Sequence, residues 1–104
     1  MATFNLCIVS PQGKVFEGPA ESVVAPGSEG ELGVLAHHAP MIAFLKVGMT
    51  TVAASGEKKI FVTGQGVIEV ELNEVNLLVD HAEKVDSAEK AHELIAAETT
   101  KRKG

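Results

Sequence analysis

The sequence predicts a mainly β domain followed by a short C-terminal helix, and three observations carry that reading. Apolar residues recur at every second position from residue 3 to about 80, the period of strands whose successive side chains face opposite ways. Turn-forming residues interrupt these runs at short intervals: Ser10-Pro11-Gln12-Gly13, Gly18-Pro19, Pro26-Gly27-Ser28, Ser55-Gly56, Gly64-Gln65-Gly66 and Asn73. Each supplies a fixed φ at Pro or a readily adopted positive φ at Gly or Asn. Beyond Val85 the spacing becomes helical. About eight to ten short strands at this interval suggest a sandwich or barrel.

Phe4, Leu6 and Ile8 alternate with Thr3, Asn5 and Cys7; Ile60 and Val62 alternate with Lys59 and Phe61. Ile68, Val70 and Leu72 alternate with Val67, Glu69 and Glu71, and Val75, Leu77 and Val79 follow. Each set reads as one buried face of a half-buried strand. Asp86-Ser87-Ala88-Glu89 has the spacing of a capping box, with Asp86 as the helix cap and Glu89 reaching back to it. Ala88, Ala91, Leu94, Ile95 and Ala97 then keep helical spacing, and Lys101, Arg102 and Lys103 suit the negative end of the helix dipole. A helix is expected over 87–101. Its thin apolar stripe needs a partner surface, because an isolated helix of about 12–15 residues barely holds in water. The organisation is a β domain over 1–83 and a helical tail over 84–104, with no repeat or long linker.

A chain of 104 residues fits one small domain. With no Trp or Tyr and four Phe, it offers few platforms for stacking bases or sugars. The net charge of −5 and a pI near 5.3 argue against nucleic acid, whose binding is driven by neutralising phosphates. The lone Cys7 excludes an internal disulfide framework and suits a reducing compartment. No signal sequence or apolar run of about 18 residues marks the chain as secreted or membrane-spanning.

Catalytic chemistry finds no foothold. His37 and His38 are adjacent, so on an extended strand they face opposite ways and cannot chelate one ion; His81 and His92 stand alone. No Ser sits in a nucleophile elbow, and Cys7 falls in mid-strand, where a lone thiol is a small hydrophobe. Gly64-Gln65-Gly66 leads into a strand rather than a helix, so it reads as a tight hairpin turn and not a phosphate cradle. Glu69 and Glu71 share a strand face and read as solvated surface. No catalytic, metal or cofactor residue is expected.

The segment from Pro26 to Pro40 stands apart. Ser28-Glu29-Gly30-Glu31-Leu32-Gly33 packs glycines and two acids into a flexible, negative tip, the kind of charged loop a basic or polar partner can read.

That loop, with His38-Ala39-Pro40 after it, resembles the epsilon subunit of F-type ATP synthases of bacterial and chloroplast type. Leu45-Lys46-Val47-Gly48 resembles the family's leucine-lysine-proline-glycine turn, with Val47 in place of proline. Val15-Phe16-Glu17-Gly18, the run from Val62 to Val70, and the run from Val75 to Asp80 fall in the family's order, so the similarity spans residues 3–92. The resemblance implies a ten-stranded β-sandwich or flattened barrel with a helical C-terminal region. It implies a non-catalytic rotor subunit in the central stalk, peripheral to the cytoplasmic face of the bacterial plasma (inner) membrane. There it would couple the gamma subunit to the c-ring during proton-driven ATP synthesis. By position, Glu29 and Glu31 are the c-ring contacts, and Ser10, His38, Met41, Ile42 and Phe44 the gamma contacts.

Two departures qualify it. Where the family has proline-glycine before the histidine, this chain has Ala36-His37, so the backbone is free to differ there and His37 becomes an extra candidate contact. Where the family commonly has two C-terminal helices, the sequence has room for one, and strong inhibition of ATP hydrolysis by the tail is not expected. Some members bind ATP through an arginine early in the first helix. That position holds Glu89, which would repel phosphate, so ATP binding is not expected. The alternative reading is a free-standing β-sandwich adaptor or ligand-binding module.

Overall fold

A computed structural model of the protein describes residues 2–103, with side chains up to residue 97. Ten strands are present: β1 Phe4–Ser10, β2 Gly13–Ala20, β3 Ser22–Gly27, β4 Gly30–Leu35, β5 Met41–Leu45, β6 Gly48–Ala54, β7 Glu57–Thr63, β8 Gly66–Glu71, β9 Glu74–Val79 and β10 Ala82–Val85. One helix, α1, follows over Ala88–Lys103.

The strands form one ladder in the order β10-β7-β6-β3-β5-β8-β9-β1-β2, with β4 pairing off β3. The ladder bends back on itself where β3 meets β5 through the single pair Gly27 and Leu45. Two layers result, β4-β3-β6-β7-β10 and β5-β8-β9-β1-β2, a flattened barrel as the sequence implies. All pairings are antiparallel except β1 with β9, where Asn5 aligns with Glu74 and Val9 with Leu78. The register puts the turns at 11–12, 28–29, 46–47, 64–65 and 80–81 at one end, and those at 36–40, 55–56 and 72–73 at the other.

The core between the layers is aliphatic, with Leu6, Ile8, Val23, Val52, Ile68 and Leu77 wholly buried beside Phe61. Phe16 meets Phe61 edge-on at 6.2 Å between ring centres, a favoured aromatic geometry. Thr50 and Thr63 are also buried, and their hydroxyls satisfy one another at 2.9 Å.

Strand β7 reverses the expected facing. Phe61 points into the sandwich, while Ile60 and Val62 point outward and pack with Met49, Val85, Ala91, Leu94 and Ile95 beneath α1. The helix covers that side, so both faces of β7 are buried and simple alternation could not decide between them. Leu72 also departs: it occupies the β8–β9 turn and is 80% exposed. The helix cap shifts by one residue. Ser87 Oγ accepts the Lys90 backbone N–H at 3.1 Å, so Ser87 rather than Asp86 caps α1 and Glu89 lies within its first turn, not at the far side of a box. The expected role of Lys101, Arg102 and Lys103 lies outside the described side chains.

Gly64-Gln65-Gly66 is not a hairpin. β7 and β8 belong to different layers, and the segment carries the chain from one to the other. It runs beside the second crossing at 80–81, to which it is tied by Gly64 N–H to the His81 carbonyl (2.8 Å) and Asp80 N–H to the Gln65 carbonyl (2.9 Å). A Cβ at residue 64 would strike the Asp80 carboxylate, and one at residue 66 the Leu78 carbonyl. Close approach, not turn type, requires these glycines.

Candidate functional site

Two surfaces carry the residues singled out by the sequence. The first is the tip of the β3–β4 hairpin. Gly27 pairs with Gly30, leaving Ser28 and Glu29 as a two-residue turn, and Glu31 opposes Pro26. Glu29 and Glu31 are both exposed. The segment read as a loop is a hairpin almost throughout, and its tip is hydrogen-bonded to the β5 region. Ser28 N–H donates to the Phe44 carbonyl and Lys46 N–H to the Pro26 carbonyl, each at 2.9 Å. Two of the glycines have structural reasons. A Cβ at residue 27 would lie 2.5 Å from the Gly30 oxygen, and Gly30 holds φ +132, which L side chains avoid. Gly33 has neither restriction, with nothing within 4 Å of a Cβ there.

The second surface is the outward face of the β5-β8-β9-β1 layer. Ile42 and Phe44 are each 72% exposed, alternating with Ala43 and Leu45 turned toward the core. Pairing extends them into a row. Phe44 aligns with Val67, Val67 with Leu78, and Leu78 with Val9. Phe44 and Leu78 are exposed in this row, with the half-buried Val67 and Val9 continuing it, an apolar strip of the kind found at contact surfaces. Leu78 and Val67 were not singled out from the sequence. The signal was there, since Leu77 and Val79 occupy the buried face and leave Leu78 outward.

The remaining candidates spread along this layer. Met41 begins β5 and is half-buried. His38 sits in the 36–40 connection, half-buried, its Nδ1 at 2.7 Å from the Ala39 carbonyl. Ser10 lies at the opposite end, only 7% exposed, with its hydroxyl accepting from Gln12 N–H and near the Gly13 carbonyl. It shapes the β1–β2 turn and offers little surface of its own. His37 adopts φ 69, the left-handed conformation a glycine supplies easily. Cys7 faces outward between Asn76 and Glu17 and is still buried; burial first, then the Glu17 carboxylate, pushes its thiol pKa up, against a smaller pull from Lys14. That suppresses thiolate and with it nucleophilic reactivity.

Among the described residues no group of three or more His, Cys, Asp or Glu is placed to hold a metal ion. No helix among them is long and apolar enough to cross a membrane. Fold and surface together define a β-sandwich with an acidic hairpin tip and an apolar strip on one face.

Comparison with known proteins agrees with that class. Residues 3–85 match the family model described as ATP synthase, Delta/Epsilon chain, beta-sandwich domain, and the chain belongs to this family. It is similar to the ATP synthase epsilon chain of Desulfitobacterium hafniense strain Y51, at 37% identity over 97% of this chain and 76% of that one. It is similar to that of Nitrobacter winogradskyi at 42% over 88% of this chain and 67% of the relative, and to that of Pelotomaculum thermopropionicum at 44% over 86% and 66%. Among solved structures, a chain of the Euglena gracilis mitochondrial ATP synthase, OSCP/F1/c-ring, shares the fold with TM-score 0.76 at 24% identity, over 95% of this chain and 66% of that one. A chain from the Tetrahymena thermophila mitochondrial ATP synthase central stalk/c-ring does so with TM-score 0.66 at 12% identity, over 94% and 90%.

Proposed function

We propose that this protein is a non-catalytic rotor subunit of an ATP synthase, coupling the gamma subunit to the c-ring. The observation that carries the reading is a pair of surfaces, the hairpin tip of one layer and the apolar face of the other, joined by the Ser28–Phe44 and Lys46–Pro26 backbone hydrogen bonds. The apolar row from Phe44 to Val9 suits a permanent protein neighbour, since it would otherwise stay in water at a cost of roughly 25 cal/mol per Å². The acidic tip with Glu29 and Glu31 suits a polar, cation-bearing loop surface such as the exposed end of a c-ring. Gamma would lie against the apolar face beside Met41, Ile42, Phe44 and His38, and the tip would face the membrane ring. In a bacterium this puts the subunit on the cytoplasmic side of the plasma membrane, peripheral to it.

The helix start supports no nucleotide role. Glu89 lies in the first turn, where its negative charge opposes a phosphate, and Ser87 already occupies the cap. Capture of gamma and c-ring by the tagged chain tests the assignment. Wild type should retain both, Glu31→Ala should lose the c-ring while keeping gamma, and His38→Ala should weaken gamma. Failure of wild type to retain either partner would refute it.

A further inference from the structure

Cations are unevenly placed among the strands: in the β5-β8-β9-β1-β2 layer they occur on β2 alone, as Lys14. β1, β5, β8 and β9 contain no Lys or Arg, whereas Lys58, Lys59 and Lys84 lie on β7 and β10 of the other layer. Glu69, Glu71 and Glu74 share the outward face of β8 and β9, alternating with inward Ile68, Val70 and Val75. Glu71 stands directly opposite Glu74 in the hairpin register, and like charges so placed destabilise a sheet. None of the three forms an ion pair among the described residues, while Glu17 on the neighbouring β2 is matched by Lys14 at 3.1 Å. Beside them, Pro40, Ile42, Glu69 and Glu71 line an open groove of about 430 Å³. Ile42 pairs with Glu69 across β5 and β8, so an exposed aliphatic group and a carboxylate lie next to each other.

We infer that this end of the face receives Lys or Arg side chains of the gamma subunit, their stems lying on Ile42 and Pro40 and their cationic heads between Glu69, Glu71 and Glu74. The inference deepens the function proposed above and rests on it. The apolar row at Phe44, Val67 and Leu78 supplies contact without direction. The carboxylates at one end supply direction: a partner turned end for end would bring its cations to Phe44 and strand the three acids in a dry interface, which is costly. A cation held between Glu71 and Glu74 would also offset their mutual repulsion.

Titration of the full chain against its gamma subunit at about 50 and about 300 mM salt tests this, since screening lengths shrink over that range. The Glu69→Gln/Glu71→Gln variant should bind about tenfold more weakly at the lower salt, with the gap closing at the higher. Phe44→Ser should weaken binding equally at both. Glu71→Gln should melt no lower than wild type, because it removes a like-charge pair, so its weaker binding cannot be assigned to unfolding. Unchanged or tighter binding of the double variant, with Phe44→Ser still impaired, would overturn the inference and leave the gamma assignment standing. Absence of any complex with wild type would overturn both.

Discussion

Ser28 and Phe44 are joined by a backbone hydrogen bond of 2.9 Å, which ties the acidic hairpin tip to the strand that carries the apolar face. Gly27 lies at that crossing, paired with Leu45, and a Cβ added there would run into the Gly30 carbonyl and the Leu32 side chain. Gly27→Ala is therefore expected to destabilise the fold by about 1–3 kcal/mol through overpacking. Gly33→Ala, where the added methyl meets open space, should change stability by no more than about 0.5 kcal/mol. Thermal unfolding of the two variants side by side checks the contrast.

The buried hydroxyl pair of Thr50 and Thr63 makes a second prediction. Replacing either residue alone with Val strands the other hydroxyl in the core, at about 1–3 kcal/mol. Replacing both should cost clearly less than the sum, because no unpaired group is left. A double-mutant cycle in denaturant measures the coupling, and additive losses would contradict it.

His37 tests the 36–40 connection. At φ 69 a β-branched residue is strongly disfavoured and glycine is not. His37→Val should lower stability by about 1–2 kcal/mol, while His37→Gly should match or exceed wild type. Chemical denaturation is sufficient to rank them.

At the start of α1, Ser87→Ala should cost about 1 kcal/mol of helix stability, and Asp86→Ala distinctly less. Amide exchange over residues 88–95 reports the difference. Equal effects would return the cap to Asp86. Calorimetry with ATP should show no binding by wild type.

Cys7 gives a pH dependence of defined sign. Its folded pKa lies above the ordinary 9.0, so the folded state holds the proton more tightly than the unfolded one. Below that ordinary value the thiol contributes no pH dependence; as pH climbs through it toward the raised value, stability is lost. Wild type should therefore lose more melting temperature between about pH 8 and pH 10 than Cys7→Ala does.

Much of this was legible in the chain. Two-residue periodicity gave the strands, and Gly and Pro gave their breaks, because most strands keep one face toward water; under α1 that rule weakens, since Met49 of β6 and Val85 of β10 are covered along with Ile60 and Val62 of β7. β7 was misread because α1 covers its outer side, a tertiary fact that no local period encodes. The 64–66 segment was misread for a related reason. Its glycines look like those of a hairpin, yet they exist to let a second crossing pass close by. The cap slipped one residue because Asp86 and Ser87 both satisfy the local chemistry. At the candidate site, Ile42, Phe44, Glu29 and Glu31 were visible individually. That Val67, Leu78 and Val9 line up with Phe44 needed the pairing of β5, β8, β9 and β1.

The chain passes between layers three times at the end that bears Ser28 and Glu29, at 46–47, 64–65 and 80–81, and twice at the other, at 21 and 36–40. Force applied at the hairpin tip thus enters a part of the molecule stitched by covalent backbone, and reaches the apolar face without being carried by side-chain packing alone. The opposite rim has the fewer crossings, and one of them is the longer 36–40 connection. In mechanical terms the backbone is cross-linked more densely at the tip end than at the back, which would suit a wedge loaded at its tip.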